Sequence, residues 1–212
     1  MDTGPDSPDA ALRGVQVAVL AKAPIAGLAK TRLIPALGPQ GAARLQRQFT
    51  RNAVRVAQAA GLGPVTLWGA PNTQHRFFRA LVRATGVACR AQPNGDLGQR
   101  MHTAFEFHCG HGPLLLTGTD CPPLQPSHLR QAARALLDGD DAVFIPAQDG
   151  GYVLVGLRQP QAALFDDMRW STPTVMAETQ RRAQALGLRV RTFEALWDVD
   201  TPADLARWRA AA

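Results

Sequence analysis

The sequence predicts an α/β fold: a mixed, mostly parallel sheet covered by helices on both faces. Three observations carry this. Short apolar runs alternate with segments of helical period and crossover length, the order that parallel strands joined by helices require. The first run, VQVAVLA, is apolar nearly throughout, as a strand buried on both faces is. One connection, Gln148–Gly151, is far too short for a crossover, so the strands it joins are antiparallel neighbours or bend sharply. At 212 residues, 46% hydrophobic and 19% charged, the chain suits one domain with a substantial core.

In order, the pattern predicts strands at Val15–Ala21, Pro64–Gly69, Val87–Ala91, Pro113–Gly118, Ala142–Ala147, Tyr152–Leu157 and Arg189–Phe193. Valine-rich runs and flanking Pro/Gly turns mark them. Helices are expected at Gln40–Ala60, Asn72–Thr85, Leu97–Cys109, Pro126–Asp138, Thr172–Leu186 and Pro202–Arg209. In Gln40–Ala60, Leu45, Phe49, Ala53, Val56 and Ala60 form an apolar stripe, with the arginines largely on another face. The start, MDTGPDSPDA, is polar and acidic with no apolar stretch. It reads as a disordered tail over residues 1–12 ahead of a domain at 13–212, with no secretory signal. No apolar run is long enough for a membrane span.

The three cysteines, Cys89, Cys109 and Cys121, are scattered and odd in number. A disulfide framework and a zinc ribbon are both disfavoured, and a cytoplasmic setting is expected. The His108-Cys109-Gly110-His111 cluster has ligand atoms but no zinc spacing. Cys121 has no evident base partner and reads as a small packing residue.

The net charge is +6, but its distribution matters more. Between Ala10 and Gly95 there is no acid and there are twelve cations; from Asp96 onward fourteen acids face eleven cations. A basic half attracts phosphate and an acidic half can hold a divalent metal. Both lysines, Lys22 and Lys30, fall in the single segment AKAPIAGLAKTRL.

Ligands in open α/β sheets bind beyond the carboxyl ends of the strands. Four segments stand there. The first is the cationic loop with Lys22, Lys30, Thr31 and Arg32. It is neither a Walker A loop nor GxGxxG, yet it is a fitting phosphate cradle. The second is LTGTDCPPL, where Asp120 directly follows an apolar strand and can hold Mg²⁺ or Mn²⁺. The third is PAQDGGY, where Asp149 is either ordinary turn chemistry or an acceptor-side group. The fourth is WDVDTPADL. Thr201, Pro202 and Asp204 serve a helix start, and Asp198 and Asp200 are alternate residues of one extended face. In NGDLGQRM, Gly95 and Gly98 can accommodate a base or ribose and Arg100 can reach a phosphate, or the segment is a plain helix-opening loop. The segment Trp170-Ser171-Thr172-Pro173 reads first as a helix cap, and Trp170 can also wall an acceptor pocket.

KAPIAGLAKTRL, GDLGQRM, LTGTDCPPL, PAQDGGYVLVGL, the WST segment and DVDTPADL occur in the order found in a group of bacterial GT-A-fold glycosyltransferase-like proteins. These are the radical-SAM/selenodomain-associated transferase 1 type, which the chain resembles from about Val15 to Trp208. It is more distantly similar to phospholactate guanylyltransferase and other nucleotidyltransferases. The resemblance implies a three-layer Rossmann-like sheet of the nucleotide-diphospho-sugar transferase (GT-A) type. It implies that Lys22, Lys30, Thr31 and Arg32 bind nucleotide phosphates and that Gly95, Leu97 and Gly98 lie near the base. Asp120 and Asp200 would be metal ligands and Asp149 would lie on the acceptor side, with Lys30 beside the reacting phosphate. Asp120 stands in TDC rather than in a full DxD.

The function expected is therefore a metal-dependent transferase using a nucleotide-activated donor, a nucleotide-sugar first. The acceptor is an unidentified small molecule. The alternative is nucleotidylyl transfer from an NTP with release of pyrophosphate. Two rivals lack chemistry: a fold member that only binds nucleotide, and a nucleic-acid-binding module, which the low aromatic content and absence of a binding motif disfavour.

Overall fold

The computed structural model describes residues 8–211. Its elements are α1 (Pro8–Leu12), β1 (Gln16–Lys22), α2 (Ile34–Ala59), β2 (Val65–Ala70), α3 (Arg76–Thr85), β3 (Ala88–Ala91) and α4 (Leu97–Cys109). They continue with β4 (Leu114–Thr117), α5 (Pro126–Leu137), β5 (Ala142–Pro146), β6 (Tyr152–Leu157), α6 (Val175–Ala185), β7 (Val190–Thr192) and α7 (Pro202–Ala211). The strands form a seven-stranded sheet in the order β3-β2-β1-β4-β6-β5-β7. All neighbours are parallel except β6, which runs antiparallel to both β4 and β5. The short Gln148–Gly151 connection produces that reversal. Its turn is closed by Ala147 N–H donating to Gly151 O at 3.0 Å.

Alternation along β1 assigns the two faces. Val17, Val19 and Ala21 join a core with α2, α3 and α5, while Ala18 packs with Met101, Phe105, Phe165 and Met176 on the other side. Successive side chains of a strand point to opposite faces, so a run apolar at every position fills two layers of core. A third, smaller cluster of Leu33, Leu45, Phe49, Val199 and Leu205 clamps the chain after β7 onto α2.

Several boundaries differ from expectation, each for a local reason. The disordered tail expected over 1–12 is contradicted in its second part: Pro8–Leu12 is helical, and Leu12 is fully buried in the α5-side core. Residues 1–7 of that expectation lie outside the described residues. The helix expected from Gln40 is preceded by a turn beginning at Ile34. Gly38, at φ 66 and ψ 166, breaks the two apart, and Pro39 restarts the helix. The helix after β2 begins at Arg76 rather than Asn72. Asn72 instead accepts the Gln74 N–H in a side-chain turn, and His75 caps by accepting from Phe77 N–H. Thr172 likewise bonds Arg169 O rather than capping a helix, so α6 starts only at Val175.

Candidate functional site

The carboxyl ends of the parallel strands open onto a cleft of about 640 Å³. Lys22, Lys30, Thr31 and Arg32 from the first loop line it, as do Gly95 and Leu97, and four carboxylates: Asp120, Asp149, Asp200 and the helix-capping Asp96. The four segments singled out in the sequence therefore meet in one place. Gly98 is the exception. It is buried at the start of α4 and does not line the cleft; a Cβ there would lie 2.7 Å from Phe165 O and 2.9 Å from the Trp170 ring. Its smallness lets α4 approach the Phe165–Trp170 segment, which gives Gly98 a packing role.

Lys30 organises the centre. Its backbone is left-handed at φ 46 and ψ 50, a conformation costing a non-glycine roughly 1 kcal/mol. The turn sends its side chain inward, where it is 3% exposed. The ammonium donates to Val199 O at 2.7 Å and lies 3.0 Å from Asp120 Oδ1 and 3.4 Å from Asp200 Oδ1. Val199 O and Asp200 accept hydrogen bonds and Asp120 adds an ion pair, so the buried charge is compensated. The Phe49 ring lies 5.4 Å from the same nitrogen. Arg32 is more exposed and reaches Asp200 Oδ2 at 3.8 Å.

The Asp120 carboxylate and the backbone around Asp200 are held from behind. Thr119 Oγ1 donates to Asp120 Oδ1 at 2.8 Å, and Gln46 Nε2 of α2 donates to Thr119 Oγ1 at 3.0 Å. The Asp120 carbonyl accepts from Val199 N–H at 2.8 Å, which draws the WDVDTP segment alongside the tip of β4. Asp204 accepts from the N–H groups of Asp200 and Thr201, anchoring the start of α7 as its sequence position implied. Asp149 Oδ1 accepts from Gly151 N–H at 2.9 Å, so the turn role is real, and the residue still borders the cleft. Asp198 is partly buried and does not line the cleft. Burial first, then the charges of Asp149, Asp200 and Asp120, raise its pKa from 3.8 to about 6.

Sequence reasoning missed Gln46, Thr119 and Gln92. A signal for the first existed: Gln46 and Thr50 stand four residues apart on the buried side of α2, an odd place for polar groups. Gln92 donates from Nε2 to Ala21 O at 3.2 Å and Trp68 O at 2.8 Å, tying the tips of β1 and β2 at the cleft floor. Leu28 was also missed. It is 69% exposed and Leu97 46%, and both line the cleft, offering apolar faces to a flat ring.

Among the described residues no group of three or more His, Cys, Asp and Glu side chains comes together as a metal cage. Asp120 and Asp200 form a pair, 39% and 40% exposed. Such a pair fits Mg²⁺ or Mn²⁺, which take one or two carboxylates and complete their shell with water and phosphate oxygens. Cys89, Cys109 and Cys121 are all free. Burial pushes the Cys121 thiol up to about 12, which fits packing and not nucleophilic attack. No helix among the described residues is long and apolar enough to cross a membrane.

The sequence profile of a family described as "Uncharacterized protein conserved in bacteria (DUF2064)" matches residues 53–172. No protein of curated function matches the chain in sequence. Among solved structures, the chain is similar to a protein from Desulfovibrio desulfuricans G20 assigned provisionally to the nucleotide-diphospho-sugar transferases. The TM-score is 0.79 at 28% identity, covering 89% of this chain and 83% of that one. It is also similar to a nucleotidyl transferase from Methanothermobacter thermautotrophicus (TM-score 0.66, 16% identity, 93% and 96% covered). A third is Rv0371c of Mycobacterium tuberculosis H37Rv, solved in complex with manganese (TM-score 0.55, 16% identity, 93% and 99% covered). The fold is that of nucleotide-dependent transferases.

Proposed function

The chain belongs to the bacterial family DUF2064, and from its cleft we propose that it is a divalent-metal-dependent transferase acting on a nucleotide-activated donor. One observation carries the reading: Lys30 from the first loop meets Asp120 and Asp200 inside a single cleft at the strand tips. Cations for phosphate and carboxylates for a metal are thereby brought within one ligand's reach. Lys22, Lys30, Thr31 and Arg32 bind the phosphates, and Leu28 and Leu97 flank the base. Asp120 and Asp200 hold Mg²⁺ or Mn²⁺, which, when bound, neutralises charge on the departing phosphate. The protein's share is positioning and electrostatic stabilisation, not covalent chemistry.

A nucleotide-sugar is the first donor considered, and the similarity to the Desulfovibrio protein supports it. The acceptor's hydroxyl then replaces a nucleoside diphosphate at the sugar carbon, and Asp149 takes the proton. The second reading is nucleotidylyl transfer, in which the acceptor attacks the α-phosphorus of an NTP and pyrophosphate leaves. The bond from Gly151 N–H to Asp149 favours it, because a carboxylate engaged in its own turn is suited to positioning an acceptor.

Thermal-shift measurements with a panel of NTPs and nucleotide-sugars, with and without Mn²⁺, test the proposal. Metal-dependent stabilisation by at least one of them is expected, and flat responses throughout would overturn it. Asp149→Asn then separates the readings. Loss of turnover supports sugar transfer, and near-normal turnover supports nucleotidylyl transfer.

A further inference from the structure

We infer that Lys30 stands in for the divalent cation in the ligand-free chain, and that a nucleotide's phosphates must draw its ammonium away before metal can engage both Asp120 and Asp200. The ligand's identity rests on the transferase reading above; the competition between ammonium and metal does not.

The ammonium takes Oδ1 of both aspartates, at 3.0 and 3.4 Å, from the protein side. Its own side chain is 3% exposed, while the carboxylates are 39% and 40% exposed on the cleft side. A cation entering from the cleft thus finds a carboxylate pair whose negative charge is already half neutralised. It would share those oxygens with a fixed positive charge, and like charges this close in a partly desolvated site repel strongly. Arg32, mostly exposed and 3.8 Å from Asp200 Oδ2, adds a second positive group beside the pair.

Phosphates resolve the conflict because they offer anionic oxygens to both cations at once. The lysine head is a compact charge on a flexible stem and can move to a phosphate, as a planar guanidinium wedged in this site could not. Metal and nucleotide are therefore coupled. Each raises the other's affinity by the same factor, and neither is strongly held alone. The coupling keeps the cleft from filling with free metal and makes the metal–nucleotide pair the species that is recognised.

Mn²⁺ binding to the nucleotide-free protein, followed by electron paramagnetic resonance, is the test. Lys30→Met retains the aliphatic stem against Phe49 and removes the charge. It should bind Mn²⁺ about tenfold or more tightly than the unmodified chain, and adding Asp120→Asn should abolish the gain. Equal Mn²⁺ affinities with and without Lys30 would overturn the inference.

A second measurement needs no variant. Lys22 and Lys30 are the chain's two lysines, so their side-chain ammonium signals can be followed separately by ¹⁵N NMR. The Lys30 signal should hold still when Mg²⁺ is added alone and move when Mg²⁺ and GTP or CTP are added together. Movement with Mg²⁺ alone, or none when both ligands bind, would overturn it. If no nucleotide binds, the transferase reading falls, and the Mn²⁺ comparison still decides this inference.

Discussion

The Lys30 ammonium lies 3.0 Å from Oδ1 of Asp120. One group comes from the loop after the first strand and the other from the tip of the fourth. These strands pair directly in the sheet, so their carboxyl ends present the two charges to the same cleft. Three cations of the basic first half and carboxylates of the acidic second half thus meet in one cleft.

Asp120→Asn should lower kcat by far more than it weakens nucleotide binding in the presence of metal. Loss of one preorganised charge contact at the reacting phosphate is expected to lower kcat by about 100-fold or more. Steady-state kinetics set beside calorimetric nucleotide binding checks this. An equal loss in binding and in kcat would assign Asp120 to ground-state binding instead.

Gly98→Ala should destabilise the fold. The new Cβ would meet Phe165 O at 2.7 Å, and a backbone carbonyl cannot swing aside as a side-chain tip can. A cost of about 1–3 kcal/mol from overpacking outweighs the roughly 1 kcal/mol that alanine gains over glycine in a helix. Urea denaturation measures the difference, and a variant as stable as the parent would contradict the packing role.

Asp198→Asn should stabilise the metal-free protein in alkaline solution. The folded-state pKa of Asp198 is raised from 3.8 to about 6, chiefly by burial and then by Asp149, Asp200 and Asp120. A carboxyl with a raised native pKa contributes stability that is present below its unfolded value and lost as pH rises through the folded one. Near pH 8 the variant should therefore be the more stable by about 1 kcal/mol, after allowance for solvent screening of a half-buried group. The gap should close as pH falls below about 4. Thermal melts across that range, with chelator present, test the sign.

Leu12→Ala should cost about 2–5 kcal/mol, the range for emptying a buried leucine site. Leu12 is fully buried although it belongs to a segment that reads as tail. A variant with an unchanged denaturation midpoint would show that α1 adds nothing to the core.

The order of strands and helices was legible because it rests on local periodicity. A valine-rich run such as Val15–Ala21 has few other uses, and the short Gln148–Gly151 link left β6 little choice but to reverse. The loops that line the cleft were legible too, since a fold of this class places its site at strand tips. Element ends were less so. Asn72 and Thr172 resemble helix starters in sequence, and only the turns they bond into show otherwise.

The amino-acid sequence by itself determined the layered α/β plan, the crowding of both lysines into the first loop and the presence of acids after the fourth and seventh strands. Tertiary structure alone decided which of those charges touch. It put one ammonium against two carboxylates and a carbonyl, backed Asp120 with Thr119 and Gln46, packed Gly98 against Phe165 and Trp170 and buried Leu12. Propensity and periodicity act over a few neighbouring residues, whereas electrostatic and steric contacts act over a few ångströms between segments far apart in the chain. Local pattern can therefore supply the right groups, and only the closed sheet can set their distances.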